Sequence, residues 1–294
     1  MKDSKKKSID KKKTKKIKQT YRDRIWELDF IRGVCLILML LYHFAVIYEV
    51  VFFPMWEEFL EPDNFIVKAY YFITEKAFSP FVEDFFHFLV VGVFFTVAGL
   101  SVTLSRKTYK SFLKTALFAG AITVVTSLLD YVLGSAYFTI THGIFHIFAL
   151  CYLVHLIFCI ILKNKYIRSG ALLAAGIFFL ILFKRTEAGL VTWEDNVFSA
   201  FFVDNSHLPS FLDSVHLIPW IGYFLIGASL SPFIYPAKKS LLPFLNKKWH
   251  LPVTFFGRHP VSFYALHILL SIIFMIIVGL IFVPKEWITQ IFGS

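Results

Sequence analysis

Long apolar segments separated by short polar ones dominate the chain. Several reach the roughly 20 residues that an α-helix needs to cross a bilayer. The fifth is short, fifteen residues between Arg168 and Lys184, and we predict a tilted helix, a partial span or one half of a hairpin. The pattern predicts an all-α, polytopic membrane helix bundle. Its seven candidate spans are about 29–53, 85–105, 112–134, 139–162, 169–183, 215–235 and 260–283.

Three polar side chains interrupt the first apolar segment along one stripe. At about 100° per residue, Asp29 and Arg32 share a helix face, and His43 returns to within about 20° of it, roughly 16 Å further along the axis. A charged residue at the centre of a membrane helix costs about 2.5 to 3.5 kcal/mol. Arg32 lies near an end and costs less, yet the placement still indicates a function for the stripe.

Composition supports a membrane protein and limits the chemistry. The chain is 57% hydrophobic and 19% aromatic, with a mean hydropathy of +0.67, which is unusual for a soluble domain. Its three cysteines, Cys35, Cys151 and Cys159, fall inside predicted helices, so neither a disulfide framework nor a metal site is indicated.

The distribution of charge predicts the orientation. The net charge of +10 comes largely from the first 24 residues, which hold ten lysines, two arginines and three acids. We expect residues 1–23 to form a disordered basic tail that is attracted to anionic lipids on the cytoplasmic side; nucleic-acid binding is the less favoured alternative. The segments 106–111, 163–168 and 236–259 are basic and lack acids, which places them in the cytoplasm with the N-terminus. Residues 24–294 then form one membrane domain.

Several segments resemble one enzyme family. In RIWELDFIRGVCLILMLLYHF, the family elements are Asp29, Arg32, Gly33 and a histidine after ten intervening residues, His43. This stretch resembles the start of bacterial relatives of heparan-α-glucosaminide N-acetyltransferase, within the transmembrane acyltransferase superfamily. Similar segments follow in the expected order, with Ala98 where serine is usual in the first of them: FFTVAGLS (94–101), GIFHIFALC (143–151), LIPWIGYFLIG (217–227) and GRHPVSFYALH (257–267).

The resemblance implies acyl transfer in the plasma membrane. A cytoplasmic acyl-CoA, expected to be acetyl-CoA, would give its acyl group to a sugar or glycan reached from the outer side. Eukaryotic members have asparagine where His43 stands and draw their proposed catalytic histidine from the outer side. His87, on one helix face with Glu83 and Asp84, is therefore a further candidate for binding the acceptor, although acids at a solvated helix N-terminus would explain the two carboxylates equally well.

The chemistry of the stripe agrees with this implication. A neutral imidazole at His43 suits a catalytic base or a transient acyl carrier. Arg32, held by Asp29 one turn earlier, presents a planar fork that suits phosphate. The alternative is that Arg32 reaches the lipid headgroups while His43 only packs against its neighbours.

Three further residues are candidates for binding the substrates. Arg258 would clamp the nucleotide phosphates of CoA, or simply reflects the basic bias of inner loops. His146 would line a cavity opposite His43; it follows His142 by one turn, but no carboxylate or cysteine accompanies the pair, so a metal is not expected. His267 would bind the acceptor or form an interhelical hydrogen bond.

Two other classes of protein fit part of the pattern. A small transporter or flippase for a glycan or lipid would also place charge inside the membrane, although many transporters show internal repeats and we find none. A membrane scaffold or receptor is the third possibility. The sequence has no GxSxG elbow, P-loop, dinucleotide fingerprint or CxxC motif.

Overall fold

The computed structural model of the protein describes residues 25–76, 79, 82, 85–105, 107–133, 139–192, 202 and 215–288. The regular structure in these residues is helical throughout, which confirms the predicted all-α class. The main helices are α1 Trp26–Ile47, α2 Phe65–Lys76, α3 Gly92–Leu104, α4 Thr108–Leu133, α5 Ile144–Ile161, α6 Lys165–Glu187, α7 Trp220–Ile234, α8 Leu251–Arg258 and α9 Pro260–Phe282.

Each predicted span contains a helix. Helices α1, α4, α5 and α6 are long and apolar enough to cross a membrane, and shorter apolar helices occupy the second, sixth and seventh predicted segments. Two π-helical turns extend this set: Tyr48–Phe52 follows α1 and Phe85–Val91 precedes α3. These helices therefore have the length and the apolar composition expected of membrane-spanning helices.

The fifth segment is longer than its apolar core suggests. Helix α6 runs without interruption from Lys165 to Glu187 and includes basic residues at both ends. The Asn164 side chain caps it by accepting hydrogen bonds from the backbone N–H groups of Tyr166 and Ile167, at 2.9 and 3.4 Å. Lys184 and Arg185 lie in the last turn, where the helix dipole favours positive charge. The helix is therefore longer than the fifteen-residue apolar segment and is long enough to cross a membrane, because it continues through charged residues that hydropathy excludes.

The bundle packs as a set of neighbouring pairs. Helix α7 lies between α3 and α6, α4 packs on α5, and α1 contacts both α8 and α9. Aromatic rings fill the centre: Phe95, fully buried, stacks on Phe148 with ring centroids 4.4 Å apart and lies 6.0 Å from Trp220. This core leaves many leucine and isoleucine side chains exposed on the outer faces, as expected for helices that contact lipid.

Two pairs of glycines allow the closest helix crossings. A Cβ on Gly33 would lie 2.0 Å from the Val253 carbonyl oxygen, and one on Gly257 would lie 1.7 Å from the Asp29 carbonyl oxygen, so α1 and α8 meet backbone to backbone. Gly99 and Gly227 do the same for α3 and α7. The α1–α8 crossing places the start of α1, with its charged residues, directly against the end of α8.

Candidate functional site

Asp29 and Arg32 form the contact that their spacing predicts. Arg32 Nη1 donates to Asp29 Oδ1 at 3.1 Å and to the Gly257 carbonyl oxygen at 3.3 Å, while Nη2 donates to the Ser101 hydroxyl. The guanidinium is thus held by three helices, α1, α8 and α3. Its side chain is only 16% exposed, so headgroups are not its main partners.

Arg258 shares the same carboxylate. Its Nε lies 3.4 Å from Asp29 Oδ2, and both side chains are buried, 8% and 9% exposed. Two guanidinium groups on one carboxylate leave a net positive charge at this point. The structure therefore brings Arg258 to Asp29, but it buries the guanidinium against that carboxylate instead of leaving it at the surface of a loop.

A cavity of about 230 Å³ opens beside Arg32. Its polar lining comes from Arg32, Ser101, Ser105, Ser111, Thr115, Tyr152 and Tyr264. Apolar side chains from α3, α5 and α9, including Phe94, Ala98 and Phe148, complete the wall. The cavity combines one fixed cation with several hydroxyl groups, which suits a ligand that has both anionic and amide groups.

Ser101 and Tyr264 are members of this cavity that the sequence did not single out. Each lies in a segment that resembles the enzyme family, Ser101 at the end of FFTVAGLS and Tyr264 within GRHPVSFYALH. Their partners are on other helices, 69 residues away for the bond from Arg32 to Ser101. Helical periodicity within one segment does not reveal such contacts.

His43 lies deeper along α1 and meets His267 of α9. The two imidazole rings stand at 82° to each other with centroids 4.6 Å apart. His43 Nδ1 lies 2.8 Å from the Met39 carbonyl oxygen, and His267 Nδ1 contacts the Tyr264 carbonyl oxygen. A carbonyl can only accept, so each neutral ring has its proton on Nδ1 and its basic nitrogen is Nε2.

Arg32 and His43 do not line one common cavity. The cavity beside Arg32 ends at Tyr264, and a second cavity of about 50 Å³, lined in part by Met39, Tyr264 and His267, follows it. The Tyr264 side chain therefore stands between the two chambers, with its ring 4.8 Å from that of His267. The predicted stripe is present along α1, but Arg32 lines the larger cavity and His43 lines neither; His43 adjoins the small cavity only through its ring contact with His267.

His146 occupies a different place from the one expected. Its Nε2 lies 2.9 Å from the Thr123 hydroxyl, between α4 and α5, and its Nδ1 has no hydrogen-bond partner among the described residues. It lines neither of the two cavities described above. The side chains of His87, Glu83 and Asp84 lie outside the described residues.

One histidine outside the membrane-spanning segments is buried in an environment that lowers its pKa. Burial and the Arg258 guanidinium lower the pKa of His250, whose ring stacks on Trp26 at 4.4 Å. Across the residues that the structure describes, no cluster of three or more His, Cys, Asp or Glu side chains could hold a metal ion.

Hydrogen bonds link the segment before α8 to the start of α1. Glu27 accepts hydrogen bonds from the Ser240 hydroxyl and the Leu241 backbone N–H at 2.8 and 2.7 Å, and Trp26 Nε1 donates to the Leu242 carbonyl oxygen at 3.0 Å. These contacts fix α8, and with it Gly257 and Arg258, relative to Arg32.

Comparison with known proteins gives one result. The family model described as "Heparan-alpha-glucosaminide N-acetyltransferase, catalytic" matches residues 24–269. This range includes Asp29, Arg32, His43, Arg258 and His267. No curated protein and no solved structure matches the chain.

Proposed function

Because the chain belongs to the family of the heparan-alpha-glucosaminide N-acetyltransferase catalytic domain, we propose that this membrane acetyltransferase takes its acetyl group from cytoplasmic acetyl-CoA. The acceptor is a sugar or glycan reached from the outer side of the plasma membrane. The main structural support is the cavity whose wall includes Arg32, a cation held in place by Asp29, Gly257 and Ser101.

The donor binds at the end of the bundle where the basic connections meet. Arg32 and Arg258 around Asp29 attract the phosphates, because two positive charges face one negative charge. A cavity of about 230 Å³ is smaller than a whole CoA molecule, so it receives the pantetheine arm while the nucleotide stays at its mouth. The hydroxyl groups of Ser101, Ser105 and Thr115 are placed to bind the amide groups of that arm.

His43 is the catalytic base in this proposal. Its Nδ1 proton is fixed by the Met39 carbonyl, so Nε2 can take the proton of the attacking amine or hydroxyl. His267, in contact with the His43 ring, binds the acceptor, and His146 and His87 contribute to the acceptor path on the outer side. The family name indicates a glucosaminide acceptor for its namesake, so an amino sugar is the first acceptor to test here.

The basic tail, residues 1–23, binds anionic lipids of the cytoplasmic leaflet. It adds charge near the donor entrance and keeps this end of the bundle at the lipid surface. Neither nucleic acid nor a metal ion takes part in the proposed reaction.

The test is acetyl transfer by the purified full chain in lipid nanodiscs. We expect release of the CoA thiol that depends on an amino-sugar acceptor, and a fall of about 100-fold or more in kcat for His43→Ala. Tyr131→Ala, which removes an aromatic ring that is 85% exposed on α4 and lines neither cavity, is the control and should keep full activity. Thiol release with no acceptor dependence, or acceptor flipping without CoA, would contradict the proposal; unchanged kcat in His43→Ala would remove His43 from the mechanism.

A further inference from the structure

The small cavity beyond Tyr264 is almost entirely apolar. It has a volume of about 50 Å³ and lies between α1, α8 and α9. Its lining consists of Leu36, Met39, Leu40, Phe256, Phe263, Tyr264, His267 and Leu270. His267 is the only histidine in this lining. The other side chains are hydrocarbon, thioether or phenol groups.

The volume of the cavity limits what it can hold. About 10–15 Å³ of such space accommodates one water-sized group, so 50 Å³ takes roughly three to five non-hydrogen atoms. The methyl, carbonyl carbon and oxygen of an acetyl group fit this space. A chain of six or more carbons would not, unless one of the leucines moved.

His267 determines which chemical group of a substrate the cavity can bind by a hydrogen bond. Its Nδ1 is bound to the Tyr264 carbonyl oxygen, and its buried Nε2 has no hydrogen-bond partner among the described residues. A buried acceptor without a donor destabilises the protein, so a hydrogen bond supplied by a substrate is favoured there. An acyl group has no proton to donate, whereas the amine or hydroxyl of an acceptor does.

Tyr264 connects this cavity to the donor cavity. Its side chain lines both chambers, its ring lies 5.2 Å from Phe145 on the donor side, and the same ring lies 4.8 Å from His267. For the thioester of a donor bound beside Arg32 to reach the small cavity, the Tyr264 side chain, which separates the two cavities, has to move aside.

We propose that the cavity formed by Leu36, Leu40, Leu270 and their neighbours is the acyl pocket, which restricts the donor to acetyl-CoA, and that His267 Nε2 receives the hydrogen bond of the acceptor there. This inference rests on the proposed acetyltransferase function. In the reaction, the nitrogen of an amine acceptor forms a bond to the acetyl carbon as the C–S bond breaks, and the electron pair of that bond leaves on the CoA sulfur. One N–H of the amine stays hydrogen-bonded to His267 Nε2 and remains in the amide product. The other proton passes to His43, whose ring contacts that of His267, and then to the sulfur.

Widening the pocket tests the assignment. Leu40→Ala removes part of the wall, whereas Leu41→Ala makes the same change at a neighbouring residue of α1 that is 56% exposed and does not line the cavity. The readout is kcat/KM for acetyl-, propionyl-, butyryl- and hexanoyl-CoA. One methylene in such a pocket is worth about tenfold or more, so Leu40→Ala should raise the butyryl-to-acetyl ratio by at least about tenfold. Leu41→Ala should leave the ratio unchanged.

A second pair of variants keeps the test decisive if Leu40→Ala does not fold. Leu270→Ala, in the lining, should shift the same ratio, and its neighbour Leu269→Ala, similarly exposed but outside the lining, should not. An unchanged chain-length profile in a folded lining variant would overturn the acyl pocket.

Filling the pocket separates this inference from the proposed function. Leu40→Trp should lower acetyl transfer by at least about tenfold while CoA, which lacks the acyl group, still binds with its wild-type Kd. If wild-type protein transfers acetyl groups and Leu40→Trp transfers them equally well, the acyl pocket is wrong and the function stands. If wild-type protein neither binds CoA nor uses acetyl-CoA, the function itself fails.

Discussion

Arg32 is the residue on which most of the candidate site depends. One guanidinium makes hydrogen bonds to a carboxylate, a backbone carbonyl and a hydroxyl from three different helices. A planar fork can serve all three because its N–H groups point in fixed directions, whereas an ammonium presents one compact charge. We therefore expect the shape of Arg32, and not only its charge, to matter for binding the donor.

The substitution Arg32→Lys tests this expectation. A hydrogen bond to a charged group is worth about 1.5–3 kcal/mol, and 1.4 kcal/mol is about tenfold in binding, so KM for acetyl-CoA should rise by about 10- to 100-fold. Arg185→Lys, at an exposed arginine in the last turn of α6, is the control and should leave KM unchanged. Steady-state kinetics in nanodiscs give the answer; equal KM values for Arg32→Lys and wild type would show that the fork is not needed.

Local spacing predicts the part of the site that lies on one helix. Asp29 and Arg32 are one turn apart, so their ion pair follows from helix geometry. Arg258 reaches Asp29 from 229 residues away, and Ser101 reaches Arg32 from 69 residues away, through crossings that no local pattern specifies. Tyr264 was not predicted because a tyrosine in an apolar segment is usually a packing residue.

At the scale of helices, the crossing of α1 and α8 positions Arg32. Gly257→Ala would place a methyl group 1.7 Å from the Asp29 carbonyl oxygen, and the helices would have to separate. We expect a loss of about 1–3 kcal/mol in stability and a large loss of activity. Gly170→Ala is the matched control in α6, because nothing lies within 4 Å of the added methyl.

The two glycine substitutions should change the stability of the protein in opposite directions. Alanine is favoured over glycine inside a helix by about 0.5–1 kcal/mol, so Gly170→Ala should be neutral or slightly more stable. Thermal unfolding of both proteins in the same detergent measures the difference. A Gly257→Ala protein as stable and active as Gly170→Ala would mean that the α1–α8 contact does not position the site.

Hydropathy predicts the positions of the helices better than it predicts their ends. All seven apolar segments contain helices, because burial in lipid requires satisfied backbone groups and apolar side chains together. The ends follow other rules. Helix α6 begins directly after its Asn164 cap, before Arg168, and ends beyond Lys184. Helix α8 is a short helix in a segment that the charge pattern alone predicts to be a loop.

In the whole molecule, the two ends of the bundle differ in charge. The start of α1, the end of α7 and the connection to α8 lie together, as the contacts of Glu27 with Ser240 and of Lys238 with the Thr103 carbonyl oxygen show. Basic residues without acids flank these helix ends in the segments 106–111, 163–168 and 236–259. Because positive loops remain in the cytoplasm, the donor cavity beside Arg32 should face the compartment that contains acetyl-CoA.

Labelling of single cysteines tests this orientation. In a chain whose three cysteines are replaced, Lys239→Cys at the basic end should react with a membrane-impermeant maleimide only after the cells are permeabilised. Asp63→Cys, which precedes α2 at a side chain that is 98% exposed, should react in intact cells. We expect this result because the charge bias that predicts the topology also predicts that the Arg32 cavity opens on the cytoplasmic side. Labelling of Lys239→Cys in intact cells would reverse the topology, and the cavity would then open away from cytoplasmic acetyl-CoA.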